Sequence, residues 1–231
     1  MANRRTDADQ IKALVERCTR DVADGLLPSC QLAIGLDGEI ILDQTIGDAQ
    51  STTRYCFFSA TKPFVAAVIW QLVSEGLVSL DAPISSFIDE FKENGKQNIT
   101  LEQVMLHTSG FPHAPMGPKV WSNSATRRAR MAEWTLNWEP GTKYEYHPTS
   151  AHWVLAEVIT EVTGNGHADE VHRRITSPLG IPRILGLDSD EQEGIADLSL
   201  CEGEATPDEL EAVFGVREMP PSEVNDETII R

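Results

Sequence analysis

The chain has 231 residues, 41% of them hydrophobic, and a formal net charge of −17 at pH 7. That is enough apolar matter to bury a sizeable core in one or two domains, and it excludes wholesale disorder. The acidity excludes nucleic acid and anionic membrane surfaces as partners, because both are held by Lys and Arg neutralising phosphate.

Residues 7–24 read as an amphipathic helix: Ile11, Leu14, Val15, Cys18 and Val22 recur at three- and four-residue steps. Asp7 and Gln10 are spaced as a capping box, and Gly25 with Pro28 supplies the stop. Two β-rich runs, residues 31–36 and 39–46, are separated by Asp37-Gly38, a pair suited to a two-residue turn with positive φ. From Ser59 the period becomes helical, through Phe64, Val65, Val68, Ile69, Leu72 and Val73 to a stop near Gly76. Further helices are predicted over residues 101–106, with Thr100 and Gln103 as a capping box, over 124–136, over 150–162 with Gly164 as the stop, and, more weakly, over 166–175, ended before Pro178. From residue 187 to the end stand 14 acidic residues against two basic ones, which reads as an insertion, a long loop or a partly ordered tail.

The stretch that carries chemistry is Phe58-Ser59-Ala60-Thr61-Lys62-Pro63. A serine and a lysine three apart at a helix start share one face, so the ammonium reaches the hydroxyl. The positive end of the helix favours a developing oxyanion, and Pro63 suits a first turn, where fewer backbone donors find partners within the helix. Serine alone is a poor nucleophile and needs a base within hydrogen-bond reach. An isolated four-letter match is equally compatible with a capping serine and a solvated lysine.

Four segments in order remove that ambiguity: Ser59 through Phe64 (SATKPF), Leu77 through Pro83 (LVSLDAP), His107 through Pro112 (HTSGFP) and Pro140 through Tyr146 (PGTKYEY). Together they resemble the serine β-lactamase-like, penicillin-recognising hydrolases, which include class C β-lactamases, D-amino-acid peptidases and related carboxylesterases. The resemblance covers roughly residues 31–182. It implies an acyl-enzyme mechanism with Ser59 as nucleophile, Lys62 beside it and Tyr146 as base. The family's tyrosine-any-asparagine motif is here Tyr146-His147-Pro148, so proline stands where the amide would hold the lysine and the substrate. His147 and Pro148 are the expected substrate-binding positions; Pro148 offers no donor, and His147 or Thr149 is the candidate to compensate for the lost amide. A phenol with an ordinary pKa of about 10 is a base at neutral pH only if a cation stabilises phenolate. Either Lys62 does so, or Lys62 is itself neutral and Tyr146 stays protonated. His107 invites a Ser-His-Asp reading, but no GxSxG elbow is present and HTSGFP looks like a shaping turn. His113, Trp121, Trp134 and Trp138 are candidates for an acyl pocket or for plain packing. The family's third motif, Lys or His then Thr or Ser then Gly, does not follow Tyr146 in this sequence.

The expected fold is therefore α/β and serine β-lactamase-like: an antiparallel sheet flanked by helices plus a helical domain, with the sheet incomplete. The expected division is residues 1–62 for the N-terminal helix, hairpin and nucleophile, 63–185 for the helical domain, and 186–231 for an acidic region leading towards C-terminal strands not in the sequence. The expected function is hydrolysis of a small ester, or an amide or β-lactam. The alternatives are a catalytically impaired binding module of the same fold, or an acyltransferase. No cofactor or metal is expected: the six histidines form neither HExxH nor a Cys/His cluster. Four cysteines without CxxC pairing, a polar N-terminus and no apolar run near the roughly 18 residues of a membrane span point to the cytoplasm. An unpaired hairpin edge is open to self-association or to a complementing C-terminal segment.

Overall fold

The computed structural model describes residues 7–198 and 205–218, and these fall into two compact units, residues 7–56 with 193–198 and 205–218, and residues 57–192. In the first unit α1 (Ala8–Ala23) starts at Asp7, whose carboxylate accepts from the N–H groups of Asp9 and Gln10, so a cap is present without the reciprocal Gln10 contact of a box. The helix packs on a hairpin of β1 (Ser29–Leu36) and β2 (Glu39–Gly47). Asp37 and Gly38 both take positive φ, 51° and 87°, which matches the right-handed twist of the strands they join. Leu32, Ile34 and Leu36 alternate on one half-buried face, and the register slips between Ile34 and Gly35, leaving Ile41 as an extra residue on β2. Ile40 remains 72% exposed. A second, parallel pair joins β3 (Arg54–Tyr55) to β4 (Ile195–Ala196), and among the described residues β1 and β2 pair with no other strand. The acidic C-terminal region is not simply a loop: it contributes β4 and α7 (Pro207–Phe214), the latter opened by a Thr206–Glu209 capping box. Cys201, with residues 199–204 and 219–231, lies outside the described residues.

The second unit is helical and holds the hydrophobic core. It begins after Cys56, and in it α2 (Lys62–Ser74) packs on α5 (Ser150–Thr163). Val68, Ile69 and Leu72 of α2 and Val154, Leu155, Val158 and Ile159 of α5 are buried, with Leu101 and Val104 of α3 (Leu101–Met105) and Met131 of α4 (Ser124–Ala132). Phe91, Phe111 and Trp134 form an aromatic cluster at ring separations of 5.4–6.3 Å. The capping box at Thr100 and Gln103 is formed, and Gly164 closes α5 in the left-handed conformation. Two helix ends differ from expectation. α4 stops at Ala132 instead of Leu136, because Trp134 turns into the core and its indole N–H reaches the Pro115 carbonyl at 2.9 Å. The weak helix over 166–175 is α6 (His167–Val171), followed by a wide π turn and then a tight turn that contains Pro178 and ends at Gly180. Among the described residues no helix is long and apolar enough to cross a membrane.

One ion pair is embedded in this unit. Arg127 of α4 and Glu157 of α5 are almost wholly buried and meet at 2.6 Å, and Ser124 Oγ donates to the second carboxylate oxygen at 2.5 Å. Removing one partner strands the other charge in a low-dielectric setting, a change that typically costs about 3–5 kcal/mol. We therefore expect Glu157→Ala to lower unfolding free energy by that amount in urea titrations. A loss below about 1 kcal/mol, the range of exposed pairs, would show that water reaches the site.

Candidate active site

Ser59 lies in a tight turn, Phe58–Thr61, immediately before α2. In 3₁₀ geometry side chains three apart eclipse one another, which places Lys62 over Ser59 more directly than an α-helix would. Lys62 Nζ donates to Ser59 Oγ at 2.9 Å. The regular helix begins only at Lys62, so Ser59 precedes it by a turn, and Pro63 occupies the first helical turn as expected. The residue before the nucleophile, Phe58, has φ 44°, a conformation that bulky side chains rarely adopt.

Tyr146 comes from the loop 87 positions on, and its phenol donates to Ser59 Oγ at 2.9 Å. Lys62 Nζ also lies 5.3 Å from the centre of the Tyr146 ring. Burial pushes the phenol pKa up, but the hydrogen bonds to Ser59 and Lys62 and the ammonium charge outweigh it and hold Tyr146 below the usual tyrosine value. The structure thus brings Ser59, Lys62 and Tyr146 to one point.

The loop bearing Tyr146 is mounted on the His107–Pro112 turn. Backbone N–H groups of Asn137, Gly141 and Glu145 donate to the carbonyls of Gly110, Thr108 and His107 at 2.7, 2.8 and 3.2 Å. Gly110 is required there: it has φ 87°, and a Cβ would stand 2.5 Å from the Trp138 carbonyl oxygen. His107 Nδ1 accepts from the His147 N–H at 3.1 Å, a shaping role.

His147 does not reach substrate space. Its side chain is fully buried, with Nδ1 2.6 Å from the Glu145 carbonyl and Nε2 accepting from the Phe111 N–H at 3.1 Å. The expected substrate contact at His147 is therefore replaced by an internal one, since every polar atom of the ring is used within the fold. Pro148 and Thr149 do line a cavity of about 310 Å³ beside Ser59 and Lys62. Of the aromatic candidates, Trp121 lines it, Trp134 belongs to the core, Trp138 packs edge-on against His147, and His113 pairs with Glu145 at 2.9 Å.

Missed in the sequence were His152, Trp153 and Ala156, which line the same cavity from α5. The signal was available: with Thr149 they stand at i, i+3, i+4 and i+7, one stripe of one helix. His152 stacks on His107 at 6.0 Å, and its Nδ1 is buried without a partner. Burial, with the Lys62 charge nearby, lowers its pKa to about 4. Among the described residues no cluster of His, Cys, Asp or Glu could hold a metal ion.

A family model described as Beta-lactamase matches residues 11–210. The chain belongs to the Beta-lactamase family. Among solved structures, this member is similar to a penicillin-binding protein homologue from Caulobacter crescentus, with TM-score 0.74 and 26% identity over 90% of this chain and 62% of the other. A family VIII carboxylesterase shares the fold, with TM-score 0.73 and 24% identity over 85% of this chain and 57% of the other. Esterase EstB of Burkholderia gladioli is 28% identical over 163 residues, 62% of this chain and 41% of EstB. The chain spans less than half the length of the curated relatives it matches. The serine β-lactamase-like α/β fold, with a small antiparallel sheet, is thereby established for this Beta-lactamase-family chain.

The histidine cluster makes stability sensitive to acid. Folded His152 binds its proton near pH 4, whereas in the unfolded chain it does so near 6.5, so between these values the unfolded state holds more protons. Stability is highest above pH 6.5, falls by up to about 3 kcal/mol as pH drops to 4, and then levels. His107 and His147, also lowered chiefly by burial, add in the same direction. Urea midpoints measured from pH 7.5 to 4.5 should fall steeply for the wild type and less steeply for His152→Gln. Parallel curves would remove His152 from the account.

Proposed function

We propose that this chain is a serine hydrolase that cleaves a small ester through an acyl-enzyme on Ser59. The observation that carries the reading is the double hydrogen bond on Ser59 Oγ, from the Lys62 ammonium and the Tyr146 phenol, each at 2.9 Å. Tyr146, held below the ordinary tyrosine pKa, takes the hydroxyl proton once it has given up its own, and the Lys62 charge stabilises that phenolate. Ser59 Oγ then attacks the carbonyl, the phenol returns its proton to the leaving alkoxide, and water later releases the acyl group. An ester is favoured over an amide because an alkoxide leaves without the orienting amide that Pro148 replaces. The name of EstB supports the same choice. Free thiols at Cys18, Cys30 and Cys56 support a reducing, cytoplasmic setting.

Fluorophosphonate labelling followed by peptide mass spectrometry should mark Ser59 in the wild type and nothing in Ser59→Ala. Lys62→Ala and Tyr146→Phe should each slow acylation at least about a hundredfold, and the double variant should lose less than the product of the two. Equal labelling of Ser59→Ala, or full multiplicativity of the pair, contradicts a shared proton-transfer unit.

As partner we propose a second copy of this chain, paired along the hairpin. The reading rests on strands β1 and β2, which find no third strand among the described residues, and on the exposure of Ile40. Sedimentation should show concentration-dependent self-association that Ile40→Lys weakens. A monodisperse monomer at all concentrations would overturn it.

A further inference from the structure

The first compact unit holds a pair of reactive groups that the chemistry at Ser59 does not use. Ile11, Val15, Cys18 and Val22 of α1 are half-buried and recur at helical spacing, the stripe that packs on the hairpin. On the other side of that seam, Cys30, Leu32, Ile34 and Leu36 alternate on the half-buried face of β1.

Gly47 shows where helix and hairpin meet. A Cβ there would stand 2.9 Å from Val22 Cγ1 and 2.9 Å from Ser29 Cα, so Val22 sits over the Ser29–Gly47 pair at the open end of the hairpin. Cys18 is one helical turn before Val22, and Cys30 directly follows Ser29 in the strand. The two side chains meet in the seam, with the Cys18 and Cys30 thiols in hydrogen-bond contact. Both stand as free thiols.

We propose that Cys18 and Cys30 are a redox-sensitive pair, which a small-molecule disulfide of the glutathione class converts into a reversible disulfide stapling α1 to the hairpin. A disulfide forms between side chains that the fold already holds side by side, and this pair is so held. The exchange balances with no further reactant. One cysteine, as thiolate, attacks the small disulfide, forms a mixed disulfide and releases one glutathione thiolate. The second cysteine gives up its proton, attacks the protein sulfur of the mixed disulfide and releases the other glutathione thiolate. The two protons lost by the cysteines pass to the two glutathiones. Burial and the Cys18 sulfur push the Cys30 thiol up, which suits Cys30 to the second, intramolecular step. Excess reduced glutathione runs the same steps backwards.

The staple has something to hold. No side chain of α1 is fully buried, so the helix lifts from the hairpin at modest cost, and a covalent tie suppresses that opening. Ser59 belongs to the other unit, and the proposal stands or falls without the hydrolase reading.

The test uses the full chain equilibrated with oxidised and reduced glutathione, quenched in acid, alkylated and mapped by peptide mass spectrometry without reduction. A Cys18–Cys30 link should form, and excess reduced glutathione should remove it. Its equilibrium constant should be at least about tenfold larger in buffer than in denaturing urea, where only chance encounter joins the sulfurs. Amide hydrogen exchange across α1 should be at least about tenfold slower in the oxidised chain than in the reduced one. Both readouts compare the wild type with itself, so neither depends on the folding of a variant. Cys18→Ser and Cys30→Ser should each lose the link and the slowing. Linkage of Cys30 to Cys56 or Cys201, linkage between chains, mixed disulfides that never close, or equal constants in buffer and urea would each overturn the pair. Unchanged exchange in a fully linked chain would overturn the staple.

Discussion

Tyr146 meets Ser59 only because the imidazole of His147, one residue away, is buried and spoken for. The ring donates from Nδ1 to the Glu145 carbonyl within its own loop and accepts at Nε2 from the Phe111 N–H, so Nε2 joins the tyrosine loop to the His107–Pro112 turn. Both bonds require the neutral ring with its proton on Nδ1, and burial favours that neutral form. Ser150 Oγ adds a further tie to the Phe111 carbonyl at 2.9 Å, which fixes the start of α5 to the same turn. A loop fastened in this way loses little freedom when substrate arrives, since the ordering has been completed on folding.

The opposite half of the site is set by a different constraint. α2 is apolar along most of its length and is anchored by Val68, Ile69 and Leu72 in the core, so its first residues cannot shift to relieve Phe58. The positive φ at Phe58 and the eclipsed Ser59–Lys62 pair follow from that anchoring. Core burial of several large side chains outweighs one unfavourable backbone angle, which costs of order 1–3 kcal/mol.

Local chemistry made most elements legible. The Asp7 cap, the Asp37-Gly38 turn, the Thr100–Gln103 box and the Gly164 stop each act within a few residues, and each holds in the structure. α4 was overrun because Trp134 is recruited by partners far away in sequence, at Phe91, Phe111 and Pro115, and no local rule shows that. The same reason hid His147: beside a tyrosine it looks like a substrate ligand, and only its contact with Phe111, 36 positions earlier, reveals the burial. Ser59, Lys62 and Tyr146 were readable because a motif in order compresses that long-range information. The cavity wall was not, since its histidine and tryptophan sit in a stripe that equally describes core.

The charge of the chain bears on the site through its distribution. With a net charge of −17, a carboxylate close to Lys62 would be no surprise, and it would stabilise the ammonium while opposing phenolate at Tyr146. Glu145, which adjoins Tyr146 in sequence, is instead engaged by Lys143 at 2.8 Å and His113 at 2.9 Å, and its pKa is lowered first by the Lys143 bond. Glu157, on the helix that lines the cavity, is taken by Arg127. Charges on exposed surfaces further off are screened beyond about 8–10 Å at ordinary ionic strength. His107 and His152 flank Lys62 as neutral rings, so the ammonium faces Tyr146 with neither a competing anion nor a second cation from that side. A strongly acidic protein can in this way keep a cation free to act on a phenol: by pairing the carboxylates that come near and leaving the imidazoles uncharged.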